Sequence, residues 1–138
     1  MKFFVSYAHA DRGFAERLAT TLEDAGQSVW TNREILPGDN WAVMIAKALD
    51  EAEAMVAVVS PEAMTSDFVS REWDYALGQE KFENRLIPVE VRPTPGKPWI
   101  FNRLKTLRAS TPEDAGRQIL SRLGLVSRTA RARARASS

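Results

Sequence analysis

The sequence predicts an α/β fold, a doubly wound parallel sheet of four to five strands with helices on both faces. Short apolar runs alternate along the chain with segments in which apolar residues recur at helical spacing. The run over residues 54–60 is apolar almost throughout, which is typical of a central strand covered on both faces. The length of 138 residues suits one layered domain. Together these observations favour helices packed on a parallel sheet.

The first half of the chain is predicted to hold two strands and two helices. In order, these elements are a strand over 2–6, a helix over 11–25, a strand over 28–31, a loop over 32–39 and a helix after residue 40. Gly26 stands where the first helix needs a C-terminal stop, and the Pro37-Gly38 pair marks the loop as a turn. Asn40 is suited to cap the second helix, because its side chain can accept a hydrogen bond from a free backbone N–H.

The second half continues the alternation. Its predicted elements are a strand over 54–60, a helix over 66–80, a strand over 86–91, a Pro-rich irregular stretch over 92–103, a short strand near 104–107 and a helix over 111–124. Pro88 has no N–H to donate, so we expect its strand to be an edge or to carry a bulge. Thr111 is a suitable cap for the last helix, with Pro112 at its first position. The whole pattern is flavodoxin-like in outline.

Composition excludes several classes of protein. The chain has no Cys, which excludes a disulfide-stapled secreted module, Cys-based zinc or iron–sulfur sites, and thiol catalysis. His9 is the single histidine, so a multi-histidine metal site is excluded as well. No apolar run approaches the ~20 residues that span a bilayer, and the N-terminus does not resemble a secretory signal. We therefore expect a cytoplasmic domain that does not contact the membrane.

The charge is distributed unevenly between a body and a tail. Nineteen basic residues face eighteen acidic ones, but residues 127–138 hold four Arg and no acid. The remaining fifteen basic and eighteen acidic residues leave residues 1–126 at −3, which argues against a nucleic-acid platform. The Arg/Ala-rich tail has almost no large apolar groups. We expect it to be disordered, either as a linker to a further domain or as an arm for nucleic acid or anionic lipid.

Candidate sites follow the strands, because ligands in such sheets bind outside the carboxyl ends of the strands. The turn after the first strand holds one glycine, Gly13, which excludes a glycine-rich phosphate loop. Ser60-Pro61 ends the third strand, where a receiver domain needs an Asp to accept phosphate. No Gly-x-Ser-x-Gly segment is present for a Ser–His–Asp hydrolase.

Glu72 is the unusual residue of the helix over 66–80. It is flanked by the apolar residues expected to form the buried stripe, namely Phe68, Val69, Trp73, Ala76 and Leu77. A carboxylate beside that stripe costs desolvation energy unless it is paired or faces a cleft. One interpretation is a partly exposed glutamate, stabilised by the helix N-terminus or by Arg71 or another Arg. The other is a carboxylate that faces a functional cleft.

Three motifs, in order along residues 2–123, resemble a known family, the Toll/interleukin-1 receptor (TIR) domains, especially their bacterial members. The motifs are Phe3-Phe-Val-Ser-Tyr-Ala-His-Ala-Asp11, then Val29-Trp30 with Leu36-Pro-Gly-Asp-Asn-Trp41, and finally Val58-Val-Ser-Pro61 with Ser66-Asp-Phe-Val-Ser-Arg-Glu-Trp73. The second resembles the BB loop of the family. The third resembles the serine–aromatic–glutamate segment of the TIR domains that cleave NAD⁺.

The resemblance implies an NAD⁺ glycohydrolase, which breaks the nicotinamide–ribose bond and releases nicotinamide with ADP-ribose or a cyclic ADP-ribose. It implies Glu72 as the catalytic residue, with NAD⁺ as substrate and neither a cofactor nor a metal. One carboxylate can serve, because nicotinamide leaves readily and the oxocarbenium-like ribose needs a negative charge nearby. The substrate contacts that the resemblance implies are Ser6, Tyr7, Ala8, His9, Asn32 and Phe68.

The resemblance also implies protein partners. Family members assemble with other TIR protomers, and the loop that would do so here consists of Leu36, Pro37, Gly38 and Asp39. We expect activity to rise when protomers form an oligomer or filament, and a covalently linked sensor domain to supply the trigger. In a bacterium this would suit an immune, antiphage effector that depletes NAD⁺.

Several alternatives stay open at the level of sequence. The chain could be a non-catalytic TIR module that signals by TIR–TIR association, or resemble the nucleoside deoxyribosyltransferases, which share the glycosidic chemistry. Asn32 stands where the family often has Asp, and Phe68 where it often has Trp. Phe68 could stack on a substrate base or pack in the core. Trp30 and Trp41 are expected to serve packing and loop anchoring, and Trp99 either assembly or a satellite core.

Overall fold

The computed structural model describes residues 1–31, 38, 40–97 and 99–125, without the side chain of Trp41. Its sheet has five parallel strands in the order β2-β1-β3-β4-β5. The strands are β1 (Lys2–Ser6), β2 (Ser28–Trp30), β3 (Ala54–Val59), β4 (Leu86–Glu90) and β5 (Leu107–Arg108). This topology confirms the predicted doubly wound parallel sheet, and places β1 and β3 at its centre.

Among the described residues, four helices connect the strands and a fifth follows β5. They are α1 (Arg12–Asp24), α2 (Trp41–Glu51), α3 (Asp67–Leu77), α4 (Ile100–Arg103) and α5 (Pro112–Arg122). Short 3₁₀ turns precede α1 and α3 and follow α3, at His9–Asp11, Ala63–Thr65 and Glu80–Phe82. No helix in the described ranges is long and apolar enough to cross a membrane.

Each face of the sheet has its own core, because successive side chains of a strand point to opposite faces. In β1, Phe3 and Val5 face α1 and α5, whereas Phe4 faces α2 and α3. The α1–α5 layer contributes Ala15, Leu18, Leu22, Ala115, Ile119 and Leu120. The α2–α3–α4 layer contributes Ala48, Leu49, Val69, Trp73, Ala76 and Phe101. Trp30 extends the second core by stacking on Phe4, with ring centroids 5.0 Å apart, as its predicted packing role requires.

Side chains cap the N-termini of α2, α3 and α5. Asn40 Oδ1 accepts from the Val43 N–H at 3.3 Å, and Ser66 Oγ accepts from the Val69 N–H at 3.4 Å. Thr111 Oγ1 accepts a hydrogen bond in the same way from the third residue along. These caps satisfy backbone donors that have no partner inside the helix. The caps predicted from the sequence at residues 40 and 111 are therefore confirmed.

The prediction for Pro88 is wrong, since β4 lies between β3 and β5 and its register with β3 runs without a bulge. The backbone groups of residues 85 and 91 form hydrogen bonds with β3. Successive residues of a strand direct their backbone groups to opposite neighbours, so the nitrogen of Pro88 points away from β3, towards the β5 side. On that side β5 begins only opposite Val89. No ladder hydrogen bond is therefore lost where the N–H is missing.

Four other expectations need correction. The helix predicted over 66–80 ends at Leu77, and the fifth strand predicted near 104–107 lies at Leu107–Arg108. Phe68 and Leu77, assigned to the buried stripe of α3, are both exposed, because α3 turns a narrower face to the sheet than the apolar pattern suggests. Trp99 is 69% exposed and so forms no satellite core. The Arg/Ala-rich tail lies outside the described residues.

Candidate active site

The site begins with one hydrogen bond between the ends of two distant segments. Ser6 is the last residue of β1, and Glu72 lies in the second turn of α3, which crosses the same face of the sheet. The Ser6 hydroxyl donates to Glu72 Oε1 at 2.8 Å. Both side chains are buried, with Ser6 1% and Glu72 7% exposed. A carboxyl group is thus held at the carboxyl end of a central strand.

The inward position of Glu72 follows from where α3 begins. Ser66 caps the helix, and the residues that then point inward are Val69, Glu72, Trp73 and Ala76. Glu72 therefore occupies a core position of the helix with a polar side chain. The interpretation of Glu72 as a partly exposed residue is wrong, since it is buried. No described residue supplies the Arg of the alternative interpretation.

Burial decides the electrostatics of Glu72. Desolvation raises the pKa of its carboxyl from the usual value near 4.5 to about 7, and the hydrogen bond from Ser6 opposes this rise only in part. Neutral and ionised forms of Glu72 therefore coexist near neutral pH. A carboxyl with such a pKa in a cleft is a candidate for chemistry, because a purely structural carboxylate is normally paired with a cation.

A cavity of about 470 Å³ lies between α2 and α3 and reaches Glu72. Its lining is mainly apolar and consists of Ala42, Ile45, Ala46, Leu49, Asp50, Phe68, Arg71, Glu72 and Tyr75. Phe68 is 53% exposed on the cavity wall, one helical turn before Glu72. The structure thus rejects core packing for Phe68, and its stacking on a substrate base stays a prediction.

The other residues named from the sequence are placed differently. Tyr7 is buried in the core under α1 and Ala8 in the core under α2 and α3, while His9 is exposed at the start of the 3₁₀ turn. None of these three lines the cavity at Glu72, so their contact with a substrate stays a prediction.

The loop between β2 and α2 was predicted to contact substrate and to carry assembly. Asn32, Leu36, Pro37 and Asp39 lie outside the described residues, as does the side chain of Trp41. Gly38 is described: it is exposed, its φ of +92° favours glycine, and nothing lies within 4 Å of where a Cβ would stand. The predicted roles of this loop remain predictions.

A second polar cluster at the same edge of the sheet was missed by sequence reasoning. Asp11 is fully buried and accepts hydrogen bonds from the Ser60 hydroxyl and, at 2.7 Å, from Arg92 Nη2. Arg92 also donates to Glu62, and that hydrogen bond lowers the pKa of the Glu62 carboxyl. Asp11 and Ser60 both follow central strands, which was a signal, but nothing local pointed to Arg92.

The cavity residues from α2 were also missed. Ala42 and Ile45 read as ordinary members of an amphipathic helix, and only the packing of α2 beside α3 turns them towards a cavity. Within the ranges that the structure describes, no group of three His, Cys, Asp or Glu side chains lies close enough together to hold a metal ion.

Comparisons with known proteins agree with this fold. A family model for the TIR domain matches residues 3–121. The TIR domain of the Toll-related receptor TRR-2 from Hydra magnipapillata is 24% identical, with a TM-score of 0.70 over 87% of this chain and 91% of that one. A 2-deoxyribosyltransferase from Bacillus psychrosaccharolyticus is 13% identical, with a TM-score of 0.57 over 84% of this chain and 90% of that one. At these sequence identities the two structures support the fold alone. No curated protein sequence matches the chain significantly.

Proposed function

The chain belongs to the TIR domain family, and from this premise we propose that it is an NAD⁺ glycohydrolase with Glu72 as its catalytic residue. The observation that carries the proposal is the buried Glu72 carboxyl, which lines a cavity and has no cationic partner in the described part of the chain. Such a carboxylate favours a ligand that brings or develops positive charge. The ribose of NAD⁺ develops that charge when its bond to nicotinamide breaks.

The reaction needs little besides this charge. The C1′–N bond of NAD⁺ breaks with its electron pair going to the pyridinium nitrogen, so nicotinamide leaves as a neutral molecule. The ribose becomes oxocarbenium-like, and ionised Glu72 stabilises its positive charge. Water then attacks C1′ and loses a proton, which the Glu72 carboxylate can accept, to give ADP-ribose. Attack by an adenine nitrogen instead of water would give a cyclic product.

Two neighbours support Glu72 in this role. Ser6 donates to Oε1 at 2.8 Å and so fixes the direction of the carboxyl group. Phe68, half exposed on the same wall, offers a ring on which the nicotinamide or the adenine can stack. The cavity of about 470 Å³ lies within the range of small-molecule sites.

The deciding experiment compares NAD⁺ consumption by the wild type, Glu72→Gln and Asp74→Asn at high protein concentration. Glu72→Gln keeps the shape of the side chain and an acceptor for Ser6 but removes the charge. We expect it to lower turnover by ~10³-fold, the scale of losing a preorganised electrostatic contact in a transition state. Asp74 is an exposed acid on the same helix, so Asp74→Asn is the matched control and should keep wild-type turnover.

Circular dichroism of all three proteins excludes unfolding as the cause of any loss. Equal turnover in the wild type and Glu72→Gln would move the catalyst elsewhere. Absence of turnover in the wild type, including in oligomerised protein, would contradict the proposal and favour a non-catalytic module that acts by TIR–TIR association.

Association is part of the proposal, because TIR domains generally associate with one another. We expect turnover per site to rise with protein concentration, and the same rate per site in dilute monomer and in forced oligomer would contradict this. As NAD⁺ is an intracellular metabolite, the activity is proposed to act in the cytoplasm, as an NAD⁺-depleting effector of bacterial immunity. Cellular NAD⁺ should then fall on expression of the wild type and not of Glu72→Gln.

A further inference from the structure

The cavity between α2 and α3 carries two opposite charges side by side. Glu72 and Arg71 are adjacent in sequence, and both line the cavity, together with Phe68 and Tyr75 from the same face of α3. Glu72 is buried, whereas Arg71 is exposed at the rim. Among the described residues that line this cavity, Arg71 is the basic one.

Arg71 is available to a ligand. It makes no ion pair or hydrogen bond with any described residue, although Asp50 lines the same cavity from the end of α2. By contrast, the exposed Arg residues 12, 17 and 117 each form an ion pair with a nearby acidic side chain. The planar guanidinium group carries N–H donors in a fork that matches two oxygens of a phosphate. An Arg that pairs with no described residue and lies at the rim of a ligand-sized cavity is therefore a candidate for binding an anionic group.

We propose that Arg71 binds the diphosphate of a dinucleotide whose reacting ribose lies at Glu72. This inference rests on the proposed function, and it assigns the part of the substrate that Glu72 does not touch. In NAD⁺ one ribose carries the cationic nicotinamide at C1′ and the anionic diphosphate at C5′. The neighbouring anion and cation of α3 match these two opposite charges across a single ribose. The ligand class is therefore a nucleoside diphosphate extended by a second ribose, such as NAD⁺ or ADP-ribose.

The inference explains how binding energy reaches the reacting bond. A contact between Arg71 and the diphosphate holds the substrate in place while C1′ changes, so it contributes to binding in both the ground state and the transition state. Arg71→Gln should accordingly raise KM for NAD⁺ and leave kcat nearly unchanged. Glu72→Gln should instead lower kcat and leave KM nearly unchanged, because the contact between Glu72 and the ribose strengthens only as the ribose develops positive charge.

The test is equilibrium binding by calorimetry, with ADP-ribose, ADP, adenosine and inorganic pyrophosphate as probes, because none of these is consumed. The proteins are the wild type, Arg71→Gln, Arg71→Lys and Lys47→Gln. Lys47 is an exposed cation on α2 that does not line the cavity, so it is the matched control. Circular dichroism verifies that each variant is folded, and a salt titration verifies that the lost contact is ionic.

We expect Arg71→Gln to weaken binding of ADP-ribose and ADP roughly ten- to hundredfold, the scale of hydrogen bonds to a charged group. The affinity of Arg71→Lys for these probes should lie between those of the wild type and Arg71→Gln, because lysine keeps the charge but loses the bidentate geometry. Binding of adenosine should not change, and Lys47→Gln should bind every probe as the wild type does.

The inference would be overturned by unchanged ADP-ribose binding in Arg71→Gln, by an equal loss for adenosine, by an equal loss in Lys47→Gln, or by no ADP-ribose binding by the wild type at millimolar concentration. Pyrophosphate that binds as tightly as ADP-ribose would also overturn it, since the site would then be a plain anion site. Binding that depends on Arg71 without any NAD⁺ turnover would reject the glycohydrolase and leave this inference standing. NAD⁺ turnover with an unchanged KM in Arg71→Gln would reject this inference and leave the glycohydrolase standing.

Discussion

Glu72 and Asp11 are two buried carboxyl groups at the same edge of the sheet, and each accepts a hydrogen bond from a serine at the end of a central strand. Ser6 donates to Glu72 and Ser60 to Asp11. Asp11 also has a cation, with Arg92 Nη2 at 2.7 Å, whereas no described cation pairs with Glu72 and burial raises its pKa to about 7. The comparison teaches that two buried, serine-bonded carboxyl groups can differ in whether a described cation pairs with them, and the proposed function assigns the chemistry to the one without that partner.

The Asp11 cluster contacts the chain segments that lead to Ser6 and Glu72. Asp11 ties the turn after β1 to the end of β3 through Ser60 and to the end of β4 through Arg92. Ser60 Oγ in addition accepts from the Ala63 N–H at 3.2 Å, at the start of the segment that leads into α3. The paired cluster thus stabilises the two segments that bring Ser6 and Glu72 together.

The largest expected effect is the pH dependence of stability that Glu72 causes. Its pKa in the folded chain is raised from 4.5 to about 7, so between these pH values the folded state keeps a proton that the unfolded state releases. The contribution of Glu72 to the free energy of unfolding therefore falls by about 3 kcal/mol as pH rises from 4.5 to 7. The Gln side chain of Glu72→Gln does not titrate. The free energy of unfolding of this variant should therefore rise by this amount relative to that of the wild type between pH 4 and pH 8. Urea unfolding at a series of pH values measures it, and a constant difference between the two proteins would contradict it.

Removing Arg92 should leave the Asp11 carboxyl in the situation of Glu72, buried and bonded to a serine without a described cation. Arg92→Gln leaves Asp11, whose side chain is fully buried, with only a serine. We expect a loss of about 2 kcal/mol in the free energy of unfolding, less than for a fully buried pair because Arg92 is itself 45% exposed. The control is Glu62→Gln, which removes the exposed outer partner of Arg92 and should change stability little. Similar losses in both variants would place the stabilising contact at Glu62 instead.

If the proposed function holds, the pKa of Glu72 should also appear in the pH dependence of the rate. If ionised Glu72 stabilises the transition state, kcat/KM for NAD⁺ rises as pH increases through about 7 and then reaches a plateau. Between pH 6 and pH 8 this is about a tenfold increase, the change in ionised fraction for such a pKa. A profile that falls over this range would assign the chemistry to the neutral acid, and a flat profile would show that the rate does not depend on the ionisation of Glu72.

The smallest expected effect comes from the serines that the two carboxyls share. Ser6→Ala removes the hydrogen bond that lowers the pKa of Glu72, so the inflection of the pH–rate profile should move upward. Stability should fall by about 1 kcal/mol, the scale of one hydrogen bond. Ser60→Ala is the matched variant, and it should cost similar stability without moving the inflection. A shift of the inflection in both variants would show that the two sites are coupled.

Much of the fold could be predicted because it depends on local patterns. The alternation of apolar runs and helical segments predicted the parallel sheet, and Asn40 and Thr111 predicted two helix starts that the structure confirms. The expectation for Pro88 failed for a reason outside its own strand. Whether a missing N–H matters depends on where β5 begins, and nothing near residue 88 encodes that position.

The candidate site could be predicted only in part. Periodicity placed Glu72 beside the buried stripe of its helix and left open whether it pairs with an Arg or faces a cleft. Phe68 looked like a member of that stripe, but it lies on a cavity wall because α2 packs beside α3.

The sequence by itself determined the strands, most helix bounds and the family to which the chain belongs, since these depend on residues close together along the chain. Only the tertiary structure decided the state of the carboxyls. Arg92 reaches Asp11 across 81 residues, and Ser6 reaches Glu72 across 66. Desolvation and ion pairing act through space over a few ångströms, so segments that are remote in sequence control whether a buried acid is neutralised or left reactive.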